Sequence, residues 1–149
     1  MDDKVSTILD RYDLDRGFLV SILQDIQSEY NYLPKDALKQ VSHSMAISLS
    51  QVYQMATFFK AFSLKPRGRH TISVCLGTAC HVRGAQNVMD NIGRRLGVSP
   101  EETTEDLKFT LSRVNCVGCC AQGPMVLIDK DYYGAVSSDK VESMLKKYG

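Results

Sequence analysis

The sequence is short of several features that would each have fixed a class. None of its apolar runs approaches the ~20 residues that a membrane span requires, so direct membrane insertion is not expected. A basic excess is missing too, with 18 Lys and Arg against 17 Asp and Glu and a formal net charge of +1. Nucleic-acid-binding surfaces normally carry such an excess, and no nucleic-acid partner is expected. The opening stretch "MDDKVSTILD" has neither the basic start and apolar core of a signal peptide nor the Arg-rich look of a transit peptide. A cytoplasmic location is the resulting expectation. No Ser–His–Asp array, phosphate-binding glycine loop, pair of catalytic carboxylates, internal repeat or low-complexity segment stands out. The sequence offers no substrate-binding machinery of its own.

The first half also lacks cysteine altogether. All five cysteines lie between Cys75 and Cys120, which confines the chemistry to one region. A reducing cytoplasm disfavours a disulfide framework, and an odd count leaves one thiol unpaired under any scheme.

At 149 residues the chain can bury one good core or two small ones that lean on each other. Residues up to about Leu64 read as helices. Leu19, Ile22, Leu23, Ile26 and Tyr30 recur at helical spacing, with Asp15 as a cap just upstream. Pro34 sits where a first helical turn tolerates proline, ahead of the stripe Ala37, Leu38, Val41 and Met45. Ser48 with Gln51 fits a capping box that opens a third stripe, Leu49, Val52, Tyr53 and Ala56. These stripes read mainly as a helical core, with part of the surface left for docking.

"SLKPRGRH" interrupts this pattern, because Pro66 and Gly68 disfavour helix while Lys65, Arg67 and Arg69 keep the segment solvated. The domain boundary is placed there, giving a helical docking domain over 1–65 and a second domain over 70–149. Beyond it, "HTISVC" is β-prone and "GAQNVMDNIGRRLGV" is helix-like. "LKFTLSRV" alternates as a half-buried strand does, and "PMVLID" with "YYGAV" reads as a hairpin across Lys130 and Asp131. "SSDKVESMLKKY" closes as an amphipathic helix capped at Ser137 or Ser138. The fold class is α+β: a small helical bundle, then an α/β domain with a mixed sheet.

The cysteines form Cys75-x4-Cys80 and, after thirty-five intervening residues, Cys116-x2-Cys119-Cys120. Each cluster follows a predicted strand, so two rigidly based loops can face each other at one sheet edge. Four thiolates suit a [2Fe–2S] cluster, whose two irons accept two separate cysteine pairs. Small residues (Gly77, Thr78, Ala79, Gly118) let backbone N–H groups approach sulfur, which stabilises the reduced state. A zinc-stabilised interaction module is the first alternative, although structural zinc favours x2 to x4 spacings on knuckle-like turns. The second is a dithiol oxidoreductase using Cys116 and Cys119, but "CVGCCAQGP" is a poor helix start for such a motif. His81 reads as a surface or supporting residue, and His43 as structural. Spacing does not choose between Cys119 and Cys120.

"VCLGTACHVRGA" together with "NCVGCC" resembles the thioredoxin-like [2Fe–2S] ferredoxin subunits of NADH-linked complexes. These are the E-type subunit of respiratory NADH dehydrogenase and its relatives in NAD-linked or electron-bifurcating hydrogenases and formate dehydrogenases. "ILQDIQSEYNYLPKDAL" and "SLSQVYQMATFFKAF" extend the likeness over nearly the whole chain. The resemblance implies that Cys75, Cys80, Cys116 and Cys120 are the ligands, with Cys119 a spare inside the second loop. It also implies a thioredoxin-like second domain, and four thiolates, which leave a cluster anionic, suggest a low potential. Expected partners are a flavoprotein subunit that carries FMN and binds NAD(H), and other iron–sulfur subunits. The acidic N-terminus without a presequence points to a prokaryotic cytoplasmic complex, including the cytoplasmic side of a membrane complex. Gln122 and Gly123 depart from the family's usual turn after the last cysteine, which bears on cluster exposure and potential rather than on ligation.

Overall fold

The computed structural model describes residues 3–149; Met1 and Asp2, where the acidic N-terminus begins, lie outside them. The chain divides into two compact units, Met1–Arg67 and Gly68–Gly149.

The first unit is helical. Its helices are α1 (Asp3–Arg11), α2 (Leu19–Tyr30), α3 (Lys35–Ser44) and α4 (Leu49–Phe58). The apolar stripes converge as amphipathic periodicity requires: Ile22, Leu23, Ile26, Leu38, Val41 and Val52 are all fully buried. Side chains close the helix ends. Ser48 Oγ accepts from the backbone N–H of Gln51 at 3.3 Å, so the expected cap forms. Asp15 instead caps a single 3-10 turn, Arg16–Phe18, by accepting from Gly17 N at 2.8 Å, and α2 follows from that turn. Pro34 is the residue before α3, in extended conformation, because its fixed φ serves an N-cap as well as a first turn. Arg16 donates to the carbonyls of Met45 (3.1 Å) and Ala46 (2.9 Å), satisfying oxygens at the end of α3. Gln27 on α2 binds the segment after α4, donating to Ala61 O and accepting from Ser63 N at 2.7 Å.

The second unit is a five-stranded mixed sheet with helices. Its strands are β1 (His70–Cys75), β2 (Glu102–Thr103), β3 (Phe109–Val114), β4 (Val126–Ile128) and β5 (Asp131–Tyr133), in the order β2-β3-β1-β4-β5. Between β1 and β3 run α5 (Thr78–Val82) and α6 (Ala85–Leu96), and α7 (Ser138–Lys146) closes the chain. The crossover allows β1 and β3 to pair in parallel, with Cys75 opposite Val114; every other pair is antiparallel. Ile72, Val74, Met89, Ile92, Leu111 and Ile128 form the buried centre where α6 packs on β1 and β3. The hairpin turns at Asp129 and Lys130, one residue earlier than the sequence pattern suggests, since Ile128 pairs with Asp131. Asp129 fixes this turn to β1, its carboxylate accepting from Thr71 N at 2.9 Å and meeting His70 Nδ1 at 2.7 Å.

Parallel pairing has a direct consequence for the cysteines. Both β1 and β3 end at the same edge of the sheet, so the loops that follow them emerge side by side. An antiparallel arrangement would have sent them to opposite ends.

Candidate metal centre

Cys75 is the last residue of β1, and Cys80 lies on the short helix α5 that follows. Cys116 comes two residues after β3, and Cys120 opens a 3-10 turn, Cys120–Gln122. The second loop thus makes one tight turn and stops at Pro124, rather than starting the long helix of a dithiol oxidoreductase.

Four of the five thiols meet. Cys75 has Cys80 and Cys116 near enough to act on its ionisation, and Cys116 acts on Cys120 in the same way. Cys80 also feels the charge of Cys120. The thiols are thus neighbours in pairs, one pair on each loop, with Cys75 and Cys116 neighbours across the loops. Cys119 packs instead against the hydrophobic core of the unit. Among the described residues, no three His, Cys, Asp or Glu side chains gather closely enough to hold a single metal ion. His81, beside Cys80, is exposed, as is His43 on α3.

Backbone donors face the sulfurs. Burial opposes ionisation of Cys75, but hydrogen bonds from the backbone of Gly77 and Val117, and from Cys80 and Cys116, outweigh it and hold the thiol below its ordinary pKa. Burial pushes Cys80 up, against a lowering contribution from the backbone of Met125. The hydrogen bond with Cys116, and the charge it would carry, push Cys120 up. Gly118, at φ +78°, donates its N–H to Cys116 Sγ at 3.4 Å, in a conformation that glycine adopts without strain. Gly77 is needed for a different reason. A Cβ there would lie 2.6 Å from the carbonyl oxygen of Asn115, so only glycine lets the two loops come this close.

The site has a buried and an open side. Cys75 and Cys80 are 1% and 2% exposed, whereas Cys116 and Cys120 are exposed. An open cleft of about 570 Å³ runs along the open side, lined by Gly77, Thr78, Ala79, Val82, Arg83, Asn115, Cys116 and Cys120. Val82 projects beside it, 80% exposed.

A donor set of four thiols in two pairs, wrapped by backbone N–H groups, fits a [2Fe–2S] cluster; structural zinc would draw four ligands around one point. The family model of the thioredoxin-like [2Fe–2S] ferredoxins matches residues 5–149. This chain belongs to that family. Its cofactor is a [2Fe–2S] cluster, and its sheet unit has the thioredoxin-like fold. This ferredoxin is 36% identical over 132 residues to the NADP-reducing hydrogenase subunit HndA of Solidesulfovibrio fructosivorans, covering 89% of this chain and 77% of that one. It is 39% identical over 127 residues to the E-type subunit of the NADH-quinone oxidoreductase of Rickettsia conorii, covering 84% and 76%. Among solved structures, an NAD+-reducing [NiFe]-hydrogenase superposes with a TM-score of 0.72 at 19% identity. That match covers 88% of the ferredoxin but only 22% of the hydrogenase chain, and it speaks for the fold. The sequence relatives are subunits of oxidoreductase complexes. Among the described residues, no helix is long and apolar enough to cross a membrane.

Two contacts at the site go beyond what the sequence showed. One is Arg83, whose Nη1 donates to the carbonyl oxygens of Cys120 (2.9 Å) and Ala121 (3.0 Å). The other is Gly123, where a Cβ would lie 2.8 Å from Cys80 Sγ. For Arg83 the only signal was proximity, three residues after a cysteine; Gly123 stood out as a departure in the turn, but not for its approach to Cys80.

Proposed function

We propose that this ferredoxin is an electron-transfer subunit of an NADH-linked multisubunit oxidoreductase, with Cys75, Cys80, Cys116 and Cys120 ligating its cluster. The observation that carries the reading is the meeting of these four thiols, from two loops at one end of the parallel strand pair. A [2Fe–2S] cluster supplies one reversible one-electron step, at a potential near ~−400 mV in plant-type ferredoxins that also use four thiolates.

The chain's own residues divide the remaining work. The N–H groups of Gly77, Val117 and Gly118 offset the negative charge on sulfur. Cys75 and Cys80 sit on the water-excluded side, and the exposed Cys116 and Cys120 face the side where a partner approaches. That partner is an adjacent subunit carrying FMN and binding NAD(H). A flavin takes the two electrons of a hydride and releases them singly, which a one-electron carrier beside it can accept. Further iron–sulfur subunits complete the assembly in this reading; the relatives are themselves subunits of a hydrogenase and of an NADH-quinone oxidoreductase. In this reading residues 1–65 are the docking domain and residues 70–149 the ferredoxin domain.

The test is reconstitution of the full chain with iron and sulfide. The reading expects a red-brown protein with iron and sulfide in equal amounts, partly bleached by dithionite, and no NADH oxidation by the chain alone. A colourless protein holding one zinc, or NADH turnover by the isolated chain, would overturn it.

A further inference from the structure

We infer that Arg83 is a positioning residue for the cluster-binding loop and a determinant of its reduction potential; the inference rests on the ligand set proposed above. Arg83 directly follows α5, the helix that carries Cys80, and its Nη1 bridges to the carbonyls of Cys120 and Ala121, 2.9 and 3.0 Å away. One guanidinium thus ties the end of the first cysteine loop to the end of the second. The tie falls where the second loop most needs it. Cys120 is exposed, begins only a single 3-10 turn, and lies in no strand. Its partner Cys116 is exposed as well, so neither thiol of this pair is held by core packing as Cys75 and Cys80 are.

The same bonds fix a permanent positive charge next to one ligand. Arginine stays protonated at any ordinary pH, and among the described residues no carboxylate forms an ion pair with Arg83. Its charge is therefore not cancelled locally. Four thiolates leave the cluster anionic, and the one-electron reduction adds a further negative charge without making or breaking a bond. A cation held beside Cys120 favours the reduced form over the oxidised one and raises the potential. Arg83 also lines the cleft on the open side of the site, where a docked partner would exclude water and strengthen the effect.

Four full-length proteins test this: wild type, Arg83→Gln, Arg83→Lys, and Arg94→Gln as a control for loss of an exposed arginine elsewhere in the unit. Midpoint potentials are read by electron paramagnetic resonance during a redox titration, and cluster retention by the rate of bleaching in a chelator. Removing the charge in Arg83→Gln shifts the reduced-to-oxidised ratio about tenfold toward the oxidised form, a shift of about 59 mV to more negative potential for one electron. The same variant loses its cluster faster. Arg83→Lys keeps the charge but not the planar fork, so it holds a near-wild-type potential while still bleaching faster. If Arg83→Gln holds no cluster, Arg83→Lys alone decides, and a wild-type bleaching rate there overturns the inference. Equal potentials and rates in Arg83→Gln and Arg94→Gln overturn it while leaving the functional reading intact. A wild-type chain that takes up no [2Fe–2S] cluster overturns that reading, and this inference with it.

Discussion

Gly123 leaves space for the sulfur of Cys80: a Cβ at position 123 would lie 2.8 Å from Cys80 Sγ, closer than carbon and sulfur can sit. The glycine follows the second cysteine loop and the sulfur belongs to the first, so the contact joins them on the buried side. Gly123→Ala is expected to displace Cys80 Sγ and cut cluster occupancy several-fold when iron and sulfide are limiting. The far-ultraviolet circular dichroism of the cluster-free chain should stay as in the wild type. Unchanged occupancy would mean that the turn at 123 moves aside and the sulfur does not.

Gly77→Ala makes a sharper demand. The added Cβ would meet the carbonyl oxygen of Asn115 at 2.6 Å, and both groups belong to backbone held by β1 and β3. Rigid backbone relaxes less than a side chain, so the two loops must separate. This variant should lose more cluster than Gly123→Ala, and its cluster-free form should be destabilised by about 1–3 kcal/mol, as overpacking typically costs. Urea unfolding of both cluster-free variants ranks them; the opposite ranking would contradict the loop-contact account.

The core behind the site gives a prediction independent of the cluster. Ile92 on α6 is fully buried in the core of the sheet unit. Ile92→Ala removes that packing and leaves a cavity, at a cost of about 2–5 kcal/mol. The loss is expected in the cluster-free chain, and a change under ~1 kcal/mol would show that α6 collapses to refill the space.

Acid stability should depend on two carboxylates of the same unit. The Thr104 hydroxyl and then the Lys108 N–H, at 3.0 Å, hold Asp106 below the usual carboxylate range. Lys146, at 2.8 Å, and Arg95, at 3.5 Å, do the same for Glu142. A carboxyl whose pKa is lowered by folding stabilises the fold above its unfolded value and loses that contribution as pH falls through the folded value. The chain should therefore weaken as pH drops below ~4, and Asp106→Asn should flatten that slope. Urea midpoints measured down to about pH 2 check this, and an unchanged slope in the variant would contradict it.

Much of the fold was legible because it rests on local pattern. The stripes through Ile22, Leu38 and Val52 marked three of the helices, and the cap at Ser48 formed where the sequence placed it. What resisted reading depends on partners distant in sequence. The alternation in "FTLSRV" marks a strand but not its direction, and the parallel pairing of Cys75 with Val114 is what brings the loops together. The two-residue strand β2 exists only through its pairing with Thr110 and Leu111. Asp15 was recognisable as a cap, but not as the cap of a 3-10 turn rather than of α2. The cysteine spacing pointed to the four-thiol site proposed above, with a zinc site and a dithiol as alternatives. Arg83 did not show, because its role is defined by two backbone carbonyls some forty residues away, which leave no mark in composition or period.

The proposed ligand set turns on its fourth member, since Cys119 and Cys120 are adjacent in sequence but differently placed. Cys120 is exposed and paired with Cys116, while Cys119 packs against the core. The most direct measurement is the iron and sulfide content, with the reduced electron paramagnetic resonance spectrum, of reconstituted Cys119→Ser and Cys120→Ser. Cys119→Ser is expected to hold a full cluster with a wild-type spectrum, and Cys120→Ser to lose or alter it. A wild-type cluster in Cys120→Ser together with loss in Cys119→Ser would contradict that ligand set.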